Sequence, residues 1–268
     1  MSKTIERKVY ASSASELANQ TPDYRKSKPA SEDLGIGTNN EGYSCEVLRS
    51  ARAGSSGKVE CVDDDGDLGW TYVGNDDAGL RPVLNLIFNP ESPREARDPS
   101  PEEIKKLGKK VTANKKILDI PMADGTILPV QIENWEAVQN KTAKYYTVKT
   151  LFAVEATRFN EYKPNEVCTD YDGSDLDRNM NGFEEKLSPE FRKELLNVVM
   201  DKENNYGIIE VKTKEKKKAT LNLGEHMDDL AMMVLTDKQK EYDEMKARHL
   251  AEEIKLKQEI ADEFEPLK

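Results

Sequence analysis

From Val47 to Leu86 the chain reads "VLRSARAGSSGKVECVDDDGDLGWTYVGNDDAGLRPVLNL". Short apolar runs separated by turn sequences predict two or three short strands joined by glycine-rich turns. The turns are "DDDGD" at Asp63 to Asp67 and "GNDDAG" at Gly74 to Gly79, where Asp, Asn and Gly tolerate a positive φ. Each end of the stretch carries an arginine in an apolar setting, Leu48-Arg49-Ser50 and Leu80-Arg81-Pro82. A guanidinium in such a place can satisfy several carbonyls and carboxylates at once, so Arg49 and Arg81 are expected to be structural tethers. Asp63 and Asp65 in the turn, with Trp70 and Tyr72 on the strand after it, form the candidate loop for a ligand or partner. A cation on the aspartates is the weaker reading, because a hairpin turn explains Asp-Gly without one.

Composition limits what surrounds this stretch. The chain has 268 residues, 34% charged and 37% hydrophobic, with a formal net charge of -11, which predicts one compact acidic domain with additions. Phosphate contacts need a basic face, so nucleic acid is not an expected partner. The lysine-rich "VKTKEKKKAT" at Val211 to Thr220 reads as a solvated edge strand guarded against aggregation. Three separated cysteines, Cys45, Cys61 and Cys168, and two histidines, His226 and His249, give no zinc spacing, and no cofactor is expected. No run approaches the ~20 apolar residues of a membrane span, and no N-terminal apolar run suggests a signal peptide. Synthesis in a cytoplasm is the expectation.

Four regions follow. Residues 1–88 open with the strand candidate "ERKVYASS" and the helical piece "SASELANQ", then cross a polar loop to the quoted stretch. Residues 89–116 are polar and rich in proline and charge, the signature of a linker, with a short helix capped by Ser100 and started by Pro101. Residues 117–223 hold strand candidates "KILDIPM", "GTILPVQIENW" and "TLFAVEA". Behind them Leu176, Met180 and Phe183, then Phe191, Leu195, Leu196 and Val199, recur at helical spacing. Asp172 or Ser174 caps the first helix, Ser188-Pro189-Glu190 starts the second, and the hairpin "YGIIEVKTKEKKKATLNLG" closes the region. Residues 224–268 are helix-forming throughout, as one long helix or two broken near Thr236.

The strands around "LRSARAG", the "DDDGD" turn and "LRPVLNL" resemble the closing half of a family of bacterial and phage domains of unknown function. That family is related to the C-type-lectin and formylglycine-generating-enzyme folds. "KVYASSASEL" is similar to the strand that leads into the family's serine and small helix, here with Glu16. "LFAVEATRFNEY" and "YDGSDLDRNMNGFEEKLSPEFRKELLNVV" resemble its opening half. Val47 stands where the family has an aromatic residue, and Ala51 replaces its common proline. The halves come in reversed order, so the resemblance implies an α+β, C-type-lectin-like domain that is circularly permuted and joined through residues 89–116. Termini that lie close together make such a rearrangement cheap.

Catalytic chemistry finds little support. "DRNMNGFEEKLS" from Asp177 imitates a calcium loop, but Ser188 stands where a bidentate glutamate is needed, so an exposed helix is expected. Neither histidine lies near a candidate nucleophile, and Cys45 and Cys61 read as small thiols on adjacent strands rather than a reactive pair. In the last region Met227, Leu230, Val234 and Leu235 form a narrow apolar stripe, expected to contact a neighbouring subunit rather than its own domain. The leading expectation is a non-enzymatic bacteriophage virion protein, a head decoration or tail accessory, bound to other virion proteins and to itself. A host-surface glycan is a further candidate partner. The alternative is a carbohydrate- or peptide-binding module of a bacterial protein.

Overall fold

A computed structural model describes residues 3–213 and Lys246. The chain divides into two compact units, Met1–Lys214 and Glu215–Lys268. The stripe residues Met227, Leu230, Val234 and Leu235 lie outside the described residues.

The first unit is α+β. Strands β1 (Thr4–Arg7) and β2 (Val9–Tyr10) lead to helices α1 (Ala14–Leu17) and α2 (Pro22–Arg25) and a 3-10 turn at Glu32–Leu34. Five strands follow: β3 (Glu46–Ala51), β4 (Lys58–Val62), β5 (Leu68–Tyr72), β6 (Ala78–Leu80) and β7 (Val83–Ile87). Helices α3 (Pro101–Leu107) and α4 (Lys109–Thr112) precede β8 (Ile117–Pro121), β9 (Ile127–Ile132), α5 (Trp135–Gln139), β10 (Tyr145–Thr150) and β11 (Glu155–Thr157). The unit ends with α6 (Asp175–Lys186), α7 (Pro189–Arg192), β12 (Asn197–Asp201) and β13 (Gly207–Lys212).

Three sheets result, in the orders β1-β12-β13, β2-β7-β10-β9-β8 and β11-β6-β3-β4-β5. Each combines strands from both sides of the 89–116 stretch, since β1 pairs with β12, β7 with β10 and β6 with β11. Neither side therefore completes a sheet system alone. One contiguous apolar core runs from Val9 and Leu84 through Val130 and Val148 to Phe183 and Met200.

The helices start where local capping dictates. Ser13 and Glu16 form a capping box on α1, and Ser100 and Glu103 form another on α3 with Pro101 at its first turn. Ser174, not Asp172, caps α6, and Ser188 caps α7. Along α6 the buried Leu176, Met180 and Phe183 fall on one stripe, and the helix packs on β2.

Elsewhere tertiary partners override the local pattern. The quoted stretch holds five strands because β6 and β7 find partners far along the chain. The second helix expected from Phe191 to Val199 stops at Arg192, and β12 takes over with Val198 and Met200 buried in alternation. Strand β13 pairs with β12 across a turn at residues 202–206, and the rest of the expected hairpin, after Thr213, lies outside the described residues. The expected strand "TLFAVEA" is divided, because β10 ends at Thr150 and β11 begins at Glu155. The 89–116 stretch packs against the domain. Leu107 and Val111 join Tyr43, Ile117, Leu151 and Phe152 in a satellite core, and Arg97 exchanges backbone hydrogen bonds with Ile117.

Candidate functional site

Arg81 is 1% exposed and sits at the centre of a buried polar cluster. Its Nε and Nη2 donate to the Thr150 carbonyl at 3.0 and 2.8 Å, Nη1 to the Arg25 carbonyl at 3.1 Å, and Nη1 to Glu46 Oε2 at 3.2 Å. Lys149 Nζ lies 2.5 Å from the other Glu46 oxygen. Lys115 Nζ donates to Gln131 Oε1 at 2.7 Å, which also accepts from Arg81 at 3.2 Å, and to the Tyr24 carbonyl at 2.9 Å. Burial holds the Lys115 ammonium well below the ordinary lysine value, with the Arg81 charge adding to the effect. Burial also lowers Lys149, although Glu46 opposes it. Desolvation comes first for both lysines, and crowding with the Arg81 charge adds to it, while Glu46 works in the opposite sense.

Arg49 is the second interior arginine. Its Nε donates to the Tyr206 carbonyl at 3.0 Å and Nη1 to Glu16 Oε2 at 2.9 Å, while Nη2 and Nη1 also reach Glu16 Oε1 and the Ala11 carbonyl. The guanidinium stands 5.3 Å from the centre of the Tyr10 ring. It thus ties β3 to α1, to the start of the chain and to the β12–β13 turn. Both arginines occupy places that a ligand cannot reach directly.

Trp70 and Tyr72 lie open to solvent, 41% and 61% exposed, with their rings edge to face at 5.6 Å. Strand β5 is the edge of its sheet, and its register sets Trp70 opposite Glu60 and Tyr72 opposite Lys58. The Lys58 ammonium is 3.5 Å from the Trp70 ring centre and 5.2 Å from that of Tyr72, and the Arg52 guanidinium is 4.9 Å from Trp70. Neither cation has an ion-pair partner among the described residues, whereas Lys8, Lys116 and Lys186 are each paired to a carboxylate. At the other end of the same face Val62 and Leu68 pack with Leu17 and Leu48 under α1. The sheet is thus covered at one end and presents an aromatic and cationic patch at the other.

The expected loop is therefore split. Asp63 Oδ1 accepts from the backbone of Asp65 at 3.1 Å and Asp67 at 2.8 Å, which makes Asp63 the closing residue of the β4–β5 turn. That turn lies at the Leu68 end of β5, away from Tyr72. Gly66 within it has φ +86°, and a Cβ there would stand 2.2 Å from the Pro22 carbonyl oxygen. The sequence reading missed Arg52 and Lys58, although counting the register outward from the Asp-Gly turn places Lys58 opposite Tyr72.

The other chemical candidates are held in local structure. Asp177 accepts from Arg7 Nε and Nη2, each at 2.6 Å, and Asn179 donates to Thr157 Oγ1 at 2.8 Å, so the calcium-like sequence forms α6. Among the described residues no group of His, Cys, Asp and Glu is arranged to hold a metal, and no helix is long and apolar enough to cross a membrane. The Cys45 thiol is pushed up by its hydrogen bond with Cys61 and by burial, which keeps it protonated. His226 and His249 lie outside the described residues. No protein-family model matches the chain, and neither the curated proteins nor the solved structures give a significant match.

Proposed function

We propose that this chain is a non-enzymatic structural protein of a bacteriophage particle, in which a permuted C-type-lectin-like domain docks onto other virion subunits. The observation that carries the docking reading is the patch of Trp70, Tyr72, Lys58 and Arg52 on the β5 edge. Tryptophan, tyrosine and arginine dominate the residues whose truncation weakens protein interfaces, because they bury large area at low entropic cost. Two cations held by ring faces rather than by carboxylates suit an anionic rim on the partner. Strands drawn into every sheet from both sides of the 89–116 stretch suit a single permuted domain. The virion setting rests on the resemblance of the "LRS" to "LRP" stretch to phage domains. A protonated Cys45 disfavours thiolate chemistry.

Immunogold labelling of purified particles tests the setting, and occupancy of a Trp70→Ala/Lys58→Glu variant tests the face. Labelled particles and at least a tenfold loss of the variant are expected. Unlabelled particles would leave the chain as a binding module of a bacterial protein, the second reading that an exposed aromatic pair supports. Removal of residues 225–268 is expected to leave the domain folded and to reduce incorporation. Normal occupancy of that truncated chain would remove the carboxy-terminal segment from the docking scheme.

A further inference from the structure

The outer strands of the three sheets are β1 and β13, β2 and β8, and β11 and β5. Most are blunted against pairing with another chain. Strand β2 has only two residues, and charges interrupt the others, Glu6 in β1, Asp119 in β8, Glu155 in β11 and Glu210 in β13. Strand β5 has five residues with neither charge nor proline. Its register fixes which groups it leaves open. The Asp63 amide donates to the Asp67 carbonyl at 2.9 Å and the Val73 amide to the Gly57 carbonyl at 3.1 Å, so the alternation makes Gly69 and Thr71 the hydrogen-bonded partners of β4. Leu68, Trp70 and Tyr72 therefore turn their backbone groups outward. Among the described residues only the Tyr72 carbonyl of these meets a backbone donor, the Asn75 amide at 3.1 Å. The open run is bounded at both ends, where Arg25 donates to the Gly66 carbonyl at 2.7 Å and the Asn160 amide caps the Val73 carbonyl at 2.9 Å.

The side chains along this edge narrow the partner. Trp70, Tyr72 and Lys58 share one face of the sheet, and the Arg52 guanidinium reaches over the Trp70 ring. Glu60, opposite Trp70, is the one carboxylate that the β4–β5 register places on that face. Two cations against one carboxylate leave the face net positive in a chain of formal charge -11. On the other face Gly69 has no side chain, and a Cβ there would come no closer than 3.9 Å to Asp63 and Cys61, which leaves room for a neighbouring strand. A strand laid along β5 would set alternate side chains beside the rings and cations, and the intervening ones beside Gly69. Building on the docking face proposed above, we infer that β5 takes up an extended acidic segment of its partner by strand addition, about five residues long with carboxylates at alternate positions. Main-chain bonds to Leu68, Trp70 and Tyr72 set the register, and Lys58 and Arg52 select the charge. A second copy fits less well, because pairing β5 with itself brings like charges onto one face.

Amide-resolved NMR on the full chain tests the inference, with the blocked peptide Ac-EVEVE-NH2 and its lysine counterpart Ac-KVKVK-NH2 as probes. The acidic peptide is expected to shift the amides of Leu68, Trp70 and Tyr72, with a Kd on the order of 1 mM. The lysine peptide should bind at least tenfold more weakly, and Lys58→Gln with Arg52→Gln should remove that preference. In the added strand the glutamate amides would face β5 and the valine amides would face away. N-methylation of the glutamate amides should therefore weaken binding at least tenfold, and N-methylation of the valine amides should not. The inference falls if Ac-EVEVE-NH2 leaves the three amides unshifted, if the lysine peptide binds as well, or if the two methylated peptides bind alike. It falls equally if these amides are already protected from exchange in the free chain, and protection that grows with concentration would make the occupant a second copy. Particle occupancy of the Trp70→Ala/Lys58→Glu variant judges the docking face separately: a loss there, with no difference between the methylated peptides, retires strand addition alone.

Discussion

Arg81 and Arg49 look interchangeable in sequence, each following a leucine on a short strand, yet their surroundings differ in kind. Arg81 shares Glu46 with Lys149 in a cluster where both carboxylate and cations are buried. Arg49 is equally buried, but its partner Glu16 keeps 33% of its side chain in solvent. The comparison teaches that the cost of losing a buried charge depends on whether the group left behind can reach water.

The two sites can be set against each other by mutation. Arg81→Ala leaves the Thr150 and Arg25 carbonyls without that donor and disrupts the balance around Glu46. A loss of about 3–5 kcal/mol in urea unfolding is expected. Arg49→Ala frees a carboxylate that can hydrate in place, and a smaller loss of about 1–3 kcal/mol should follow. Equal losses, or the reverse order, would break the distinction between the sites.

A third measurement uses the proton affinity of the Arg81 cluster. Lys115 is held low in the folded chain by burial, while in the unfolded chain it returns to about 10.4. Between those two values the unfolded chain binds more protons, so this group makes stability rise with pH. Lys115→Met removes that slope. Melting curves from about pH 7 to pH 10 should show the parent gaining on the variant, by at most ~1.4 kcal/mol per pH unit. A constant difference would mean that Lys115 titrates outside this window.

The smallest effect on stability belongs to the open patch. Trp70→Ala is expected to cost about 1 kcal/mol, since the ring is 41% exposed and gives up only its contacts with Tyr72, Lys58 and Arg52. A larger loss would show that Trp70 supports its own sheet and would weaken the docking reading.

What could be read beforehand was mostly what is decided within a few residues. The Ser13–Glu16 and Ser100–Glu103 boxes and the Ser174 and Ser188 caps announce their helices because a side chain satisfies a backbone amide three positions on. The α+β class was also legible. Strand β12 was not, since Phe191, Leu195, Leu196 and Val199 fit a helix until β1, from the far end of the chain, pairs beside them. The burial of Leu107 and Val111 hid behind the surrounding charge and proline. The cluster of Glu46, Lys115 and Lys149 carries no local signal, because charged residues become interior only when distant strands bring counter-charges together.

The order β1-β12-β13 has a mechanical side. Both outer strands run antiparallel to β12, so the chain enters the sheet at Thr4, level with Gly207, and leaves at Lys212, level with Asn197 at the opposite end. Tension between residues 3 and 213 therefore acts along the strands and strains both ladders in shear, with their hydrogen bonds resisting together instead of opening one after another. Pulling the domain through these two positions should meet a higher rupture force than pulling through residues 7 and 213, which emerge at the same end and unzip the sheet.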